Sequence, residues 1–402
     1  MKLEGRYIEA PGFMDLHAHL REPGFEESET LATGTHSALH GGFTTVCAMP
    51  NTDPAIDTPA LVKEIYSRAP GWAEGARVWP IASITRGRKG KELADLVELA
   101  EAGAVAFSDD GNPVEDARLF RSALEYSRSA GRVVIEHAQD LSLSAKGVMH
   151  EGAVSARLGL PGMPAAAEET AVARDIALAK MTGGRLHLTH LSTAGSIELV
   201  RRAKADGAPV TCDVTPHHLA MTDEWVAGSR AFAWEVEDEA LRGVPYDSAT
   251  KVNPPLRTRA DVRALWVGLA DGTVDAIATD HAPHASTKKD VEFDQAAFGI
   301  SGLETAVPLV LGGVRAGWAS LPTVIAALTT GPARVLGVEL PEGDHVTIDT
   351  EAEWVVTPES LFSLGKNTPL MGRSVIGRVD IAGIGLTKRR GGQRVAEAIS
   401  RR

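Results

Sequence analysis

Short apolar, β-branched runs recur along this chain and alternate with amphipathic stretches. The runs lie at 12–19, 43–51, 78–84, 104–110, 133–139, 185–192, 209–217 and 275–284. Between them, Thr58 to Arg68, Glu92 to Ala102, Ala117 to Ala130 and Glu169 to Met181 carry apolar residues at helical spacing. The runs are close to continuously apolar, as strands covered on both faces tend to be. Eight such strand–helix alternations predict a parallel sheet closed into an α/β fold of the (β/α)8 TIM-barrel type. A doubly wound open sheet is the competing topology, but it does not ordinarily collect polar residues from so many strand ends onto one rim. Here His19, Asn51, Asp110, His137, His190, His217 and Asp280 all stand at C-terminal ends of runs, where barrel enzymes carry their active sites.

The barrel pattern covers 11–335, leaving 1–10 and 336–402 outside it. Short β-like runs (His345 to Ile348 and Glu353 to Thr357) and turn signals at Gly365-Lys-Asn-Thr-Pro369 predict a small β-sandwich appendage built from both termini. The basic last stretch, Lys388 to Arg394 with Arg401 and Arg402, reads as a frayed, solvated terminus. Glu235 to Ser248 stands out as acidic.

Composition narrows the function classes. Of 402 residues, 44% are hydrophobic and 23% charged, the balance of a soluble globular protein. A net charge of −12 without a long basic run speaks against a nucleic-acid surface. No stretch approaches 18 apolar residues and the N-terminus lacks an apolar leader core, so the expected location is the cytoplasm, with no membrane partner. Cys47 and Cys212 both fall inside apolar runs and read as buried thiols of a reducing compartment.

The rim residues are chemically selective. His17 and His19 alternate on one strand, so both imidazoles can reach one metal ion. His137 and His190 each close a run and face the same rim. Asp280 ends a run that buries its carboxylate at the barrel mouth, where an unpaired charge is costly unless it meets a metal or a proton. Beside metal-activated water such a carboxylate can serve as ligand, general base and then general acid. Two ions about 3.5–4 Å apart need a bridging anion, and Phe107-Ser-Asp-Asp-Gly111 offers Asp109 or Asp110. His187 lies three residues before His190 and is read as packing against the outer helices. His36, His40, His150 and His345, in helical or loop settings, are read as structural.

These residues occur in motifs that resemble the class I bacterial dihydroorotases of the amidohydrolase superfamily, over about Ala10 to Gly372. The motifs are Asp15-Leu-His-Ala-His-Leu-Arg-Glu-Pro-Gly24, Met49-Pro-Asn-Thr52, Phe107-Ser-Asp-Asp-Gly111, Thr215-Pro-His-His218, Asn253-Pro-Pro-Leu-Arg257, Ala278-Thr-Asp-His-Ala-Pro-His284 and Phe298-Gly-Ile300. The resemblance implies two Zn2+ per subunit, one held by His17, His19 and Asp280 and the other by His137 and His190, bridged by Asp110. Related branches bridge with a carboxylated lysine; no lysine ends the fourth run here. It further implies substrate contacts from His19, Arg21, Asn51, Asn253, His284 and the backbone of Phe298 and Gly299. Arg21 has a planar fork suited to a carboxylate. Set against the family resemblance, the β appendage reads as incomplete, with few residues before the first barrel run.

The implied reaction interconverts N-carbamoyl-L-aspartate and L-dihydroorotate in pyrimidine biosynthesis, with Asp280 as the catalytic proton carrier. A homodimer and a complex with aspartate transcarbamoylase are the partners the resemblance implies. Two alternatives are weighed against this reading. A hydantoinase- or allantoinase-like cyclic amidase has no use for Arg21, and an inactive transcarbamoylase scaffold generally loses metal ligands, whereas all six stand here.

Overall fold

The computed structural model describes residues 2–70, 74–236, 238, 242–385 and 397–400, with side chains outside 2–4 and 397–400. The basic stretch from Lys388 to Arg394, with Arg401 and Arg402, lies outside the described residues. All eight anticipated runs form strands of one parallel sheet: Phe13–Ala18, Phe43–Ala48, Arg77–Ala82, Ala106–Phe107, Val133–Glu136, Leu186–Leu188, Val210–Val214 and Ala276–Ile277. Each strand pairs with its sequence neighbour in that series. A parallel bridge between Ala18 and His281, with the His19 amide donating to the His281 carbonyl at 2.8 Å, joins the last strand to the first. The sheet is a closed (β/α)8 barrel.

Helices begin where the sequence supplies caps. Thr30 and Thr58 start Leu31–His40 and Pro59–Arg68 by accepting a hydrogen bond from the first turn, and Asp116 does so for Ala117–Ala130. Two anticipated helices shift their starts. Residues 92–94 fold back, Leu93 bridging to Thr85, so that helix is shortened to Leu96–Glu101. The helix anticipated from Glu169 begins at Ala165, since three alanines after Pro164 favour helix.

Two apolar layers hold the barrel. Inside, Met14, Leu16, Cys47, Met49, Ile81, Ile135 and Ala278 pack together, with Val335 and Leu336 in the same cluster. Outside, strand residues such as Val46, Phe107, Val134 and Leu188 pack in one cluster with helix residues such as Val62, Leu99, Phe120 and Leu124. Truncating a fully buried side chain such as Phe107 to alanine should cost about 3–5 kcal/mol. Cys47 and Cys212 are free and buried in these layers.

Both termini join a five-stranded antiparallel sheet in which Tyr7–Pro11 pairs with His345–Val355, and that strand with Ser374–Ile384. Its outer strands are Lys2–Glu4 and Glu397–Ser400. The two short runs anticipated at 345–348 and 353–357 are one strand, interrupted by register shifts at Thr347/Ile348 and Asp349/Glu353. No helix among the described residues is long and apolar enough to cross a membrane.

Candidate metal centre and substrate cavity

The C-terminal end of strand one and the loops after strands one, four, five, six and eight bring six donor side chains to one point. His19 Nε2 lies 3.3 Å from His17 Nε2 and 3.0 Å from Asp280 Oδ1. Close by, His137 Nδ1 lies 3.0 Å from His190 Nε2. Asp110 stands between the two groups. Its Oδ2 is 3.3 Å from His17 and 3.5 Å from His19, while its Oδ1 is 3.5 Å from His137 and 3.4 Å from His190. His17, His19 and Asp280 form one compact donor set, and His17, Asp110 and His190 another. All six side chains are buried.

The far nitrogens of the imidazoles explain how the near ones are presented. His17 Nδ1 is 2.9 Å from the Thr189 hydroxyl, which itself donates to Asp213 at 3.0 Å. A hydroxyl donating to a carboxylate must accept from His17, which places the proton on Nδ1 and a lone pair on Nε2. In the same way His19 Nδ1 donates to Asn51 Oδ1 at 2.8 Å, and His137 Nε2 donates to Gln139 Oε1 at 2.8 Å. Three imidazoles thus turn unprotonated nitrogens toward the centre, the arrangement that outer hydrogen bonds impose on metal-binding histidines.

The electrostatics call for a cation. Burial alone keeps an imidazole neutral, yet the Asp110 and Asp280 carboxylates lift His17 to about 9. Burial also opposes the charge of Asp110, but the surrounding imidazoles, His17 first and then His137 and His190, hold that carboxyl well below the usual range. Asp280 is held below it too, against burial, mainly by His17 and His19. Two buried carboxylates stay ionised here only because positive charge sits among them, and a divalent metal supplies that charge without protonating the donors. Asp110 Oδ1 and His190 Nδ1 are buried without a hydrogen-bond partner, and the first is a donor atom aimed at the centre. The donor set of imidazole and carboxylate suits such an ion.

Backbone geometry contributes. Arg21, His190 and Asp280 adopt left-handed φ of 62°, 41° and 46°, conformations that cost a non-glycine residue energy and are found where structure over-determines them. Asp109, the other carboxylate of its pair, points away. It accepts from the Ile84 and Thr85 amides at 2.9 and 3.1 Å and from the Thr85 hydroxyl. It ties the loop of Asp110 to the neighbouring strand end, and Arg88 donates to the Asp110 carbonyl from the other side.

A cavity of about 200 Å³ opens on the donors. Its lining combines His19, Asp110, His137, His190 and Asp280 with every other substrate-contact candidate: Arg21, Asn51, Asn253, His284, Phe298 and Gly299. Arg21 donates through Nε to the Pro283 carbonyl at 3.1 Å, and its Nη2 lies 3.3 Å from His284 Nε2. Burial lowers Arg21 only to about 10, so it is a cation at neutral pH. Burial and the Arg21 charge push His284 down to about 3, so its ring is neutral, and Nε2 lies 2.8 Å from the Phe298 carbonyl. Asn253 Nδ2 donates to Gln139 Oε1 at 2.9 Å. A larger cleft of about 700 Å³ lies elsewhere, beside Arg230, Tyr246 and Glu292. It contains neither of the donor groups.

Some expectations change. His187 does not pack against the outer helices: its ring bonds Thr211 at 2.8 Å and Asp213 at 2.7 Å within the barrel. Asp213 also accepts from the His190 amide at 2.6 Å, so His187 belongs to the scaffold of the metal centre. His217 is buried at the rim, with Nε2 unpartnered, but joins neither donor set. His36 and His40 stack near Phe362, and His150 and His345 also stand apart from the donor sets. Sequence reasoning misses Gln139, Thr189 and Asp213. Polar residues at alternate positions 211 and 213 of an otherwise apolar run are the available signal.

Residues 5–196 match the family model described as Dihydro-orotase-like. The chain is 52% identical over 376 residues to a dihydroorotase of Anaeromyxobacter sp. (strain K), covering 92% of this chain and 83% of that protein. It is 51% identical to a dihydroorotase of Pelotomaculum thermopropionicum, covering 91% and 83%. Among solved structures, an L-hydantoinase (dihydropyrimidinase) from Arthrobacter aurescens superposes with a TM-score of 0.79 at 23% identity, covering 97% of this chain and 87% of that one. A dihydropyrimidinase from Brevibacillus agri gives 0.76 at 20%, covering 94% and 84%. The structural likeness at such identity concerns the fold.

Proposed function

Given that this chain belongs to the dihydroorotase family, we propose that it is a cyclic amide hydrolase that interconverts L-dihydroorotate and N-carbamoyl-L-aspartate in the cavity described above. One observation carries the substrate assignment: Arg21 shares a small cavity with five of the six donor residues. Among the described residues no carboxylate side chain pairs with Arg21, so its guanidinium is available to an acid on the ligand. A hydantoin has no such acid, and dihydroorotate does.

In this reading His17, His19 and Asp280 would hold one zinc ion and His137 and His190 the second, with Asp110 shared between the two groups. Bound there, divalent zinc would acidify water and polarise the amide carbonyl. The protein's own residues do the rest. Arg21, Asn51 and His284 fix the ring carboxylate, so the amide faces the donors at a set distance. Asn253 and the backbone of Phe298 and Gly299 hold the ring edge. Asp280, 3.0 Å from His19 Nε2, accepts the proton of the attacking water and returns it to the leaving ring nitrogen. A C–O bond forms and the ring C–N bond breaks. Opening creates a second carboxylate and releases a proton, so closure is favoured as pH falls.

Metal analysis with a dihydroorotate assay on one preparation tests the reading. Loss of dihydroorotate absorbance at alkaline pH by zinc-loaded protein is the expected result. Absence of turnover in protein carrying its metals refutes it. Turnover of hydantoin or allantoin in preference to dihydroorotate assigns the chain to the rival amidases, and Asp280→Asn leaving the protein's behaviour unchanged assigns it to the scaffold reading.

A further inference from the structure

The turn between the two long antiparallel strands, expected to belong to the appendage alone, reaches into the cavity wall. Its Asn367 is buried and its carboxamide bonds two separate wall segments. Nδ2 donates to the Ala282 carbonyl at 3.1 Å and the Gly299 carbonyl at 2.9 Å. Oδ1 accepts from the His284 amide at 2.8 Å. Both donors and one lone pair are engaged, which fixes the orientation of the group. Turned over, its oxygen would face two carbonyls and its NH2 an amide N–H.

The surroundings reinforce the contact. The Ser301 amide donates to the Asn367 carbonyl at 3.1 Å, and the Ser301 hydroxyl to the Gly365 carbonyl. A Cβ on Gly365 would come within 2.6 Å of the His284 nitrogen, so the turn lies directly on that residue. Lys289 Nζ donates to the Gly299 carbonyl at 3.0 Å and the Ala297 carbonyl at 2.8 Å. The Gly299 carbonyl is therefore held from two directions.

We infer that Asn367 is a positioning residue that sets the spacing between the carboxylate end of the cavity, at His284, and its ring edge, at Phe298 and Gly299. It lines neither the cavity nor the metal centre and acts through the segments 282–284 and 299–301. The inference rests on the proposed reading of those segments as the substrate's contacts. It predicts a loss of substrate fit, with the donor cluster left intact.

Zinc-loaded full-length protein carrying Asn367→Ala or Asn367→Asp decides it. The aspartate keeps the acceptors but turns a carboxylate oxygen toward two carbonyls. In both variants KM for dihydroorotate is expected to rise tenfold or more, with kcat within threefold of the parent and metal content unchanged. Amide hydrogen exchange should quicken over 282–284 and 297–301 while the strand at 43–48 keeps its rate. Unchanged KM, or unchanged exchange in those two segments, overturns the inference. Asn367→Ser, which retains one hydrogen-bonding group, is read by the same criteria if the other variants do not fold. Exchange does not depend on turnover, so a parent protein inactive on dihydroorotate would sink the functional reading while the positioning role is still decided.

Discussion

Replacing Arg21 by methionine separates recognition of the substrate acid from the chemistry at the metals. The side chain reaches the cavity from the loop after the first strand and is anchored through Nε on the Pro283 carbonyl, leaving the rest of the fork for a ligand. Methionine keeps a long side chain and the same left-handed backbone, so backbone strain is common to both proteins. What is lost is a bidentate, charge-assisted contact in a buried site. Hydrogen bonds to charged groups contribute about 1.5–3 kcal/mol each, so two are worth about 3–4 kcal/mol after the guanidinium's own desolvation is deducted. That corresponds to a fall of about 10²–10³ in kcat/KM, carried mostly by KM. Lysine restores the charge without the fork and should recover about tenfold. The assay is dihydroorotate absorbance under initial-rate conditions, with zinc measured on the same samples. Methionine protein that keeps its metals and loses less than threefold in kcat/KM would refute the reasoning. So would a loss that follows the metal content, because Arg21 contacts no donor atom.

Four further outcomes follow from the geometry. Asp110→Asn removes the charge between the two donor groups, so zinc per chain should drop and activity should fall at least 10²-fold; full metal content in active protein contradicts the bridging role. Asp280→Asn should lower kcat by about 10³-fold or more even where metal is retained, since proton transfer alone is worth 10²–10⁴; near-parental kcat refutes the proton-carrier role. The fold holds His284 neutral down to about 3 while the unfolded chain titrates near 6.5, so between those values the unfolded state binds more protons and stability falls as pH falls. The slope is up to about 1.4 kcal/mol per pH unit, so urea unfolding of His284→Asn should lose about 2 kcal/mol less than the parent from pH 6.5 to 5; equal losses would exclude it. Gly299→Ala places a Cβ 2.6 Å from the Ala282 carbonyl at a φ of 144°, and should destabilise the protein by more than about 1 kcal/mol; an unchanged melting temperature counts against this close approach in the cavity wall.

Much of the barrel is legible because strands buried on both faces leave apolar runs, and all eight runs are neighbours in one sheet. The donors are legible for a related reason. A histidine or aspartate closing an apolar run has few roles at a barrel rim besides ligation. Helix boundaries are legible where a threonine or aspartate cap announces them, as at Thr58 and Asp116, and illegible at Glu92, where a backbone bridge to Thr85 competes with helix. The setting of His187 escapes a reading by parity, because the left-handed φ of 41° at His190 breaks the alternation, so both histidines face the barrel interior. Asp213 on the adjacent strand is the partner of His187 there.

By itself, then, the sequence marked the eight barrel runs, the polar residues that close them and the family motifs, all of which depend on residues close together in the chain. The tertiary structure shows how the Asp109–Asp110 pair divides, since Thr85 and Ile84 bind one carboxylate and four imidazoles surround the other. It also decided which nitrogen each imidazole presents, through Thr189, Asn51 and Gln139. Asn367 bonds the His284 amide from 83 residues further along the chain, a distance no local pattern spans. Hydrogen bonds between remote segments exist only once the barrel closes and brings them together, and that closure is written in no single stretch of the chain.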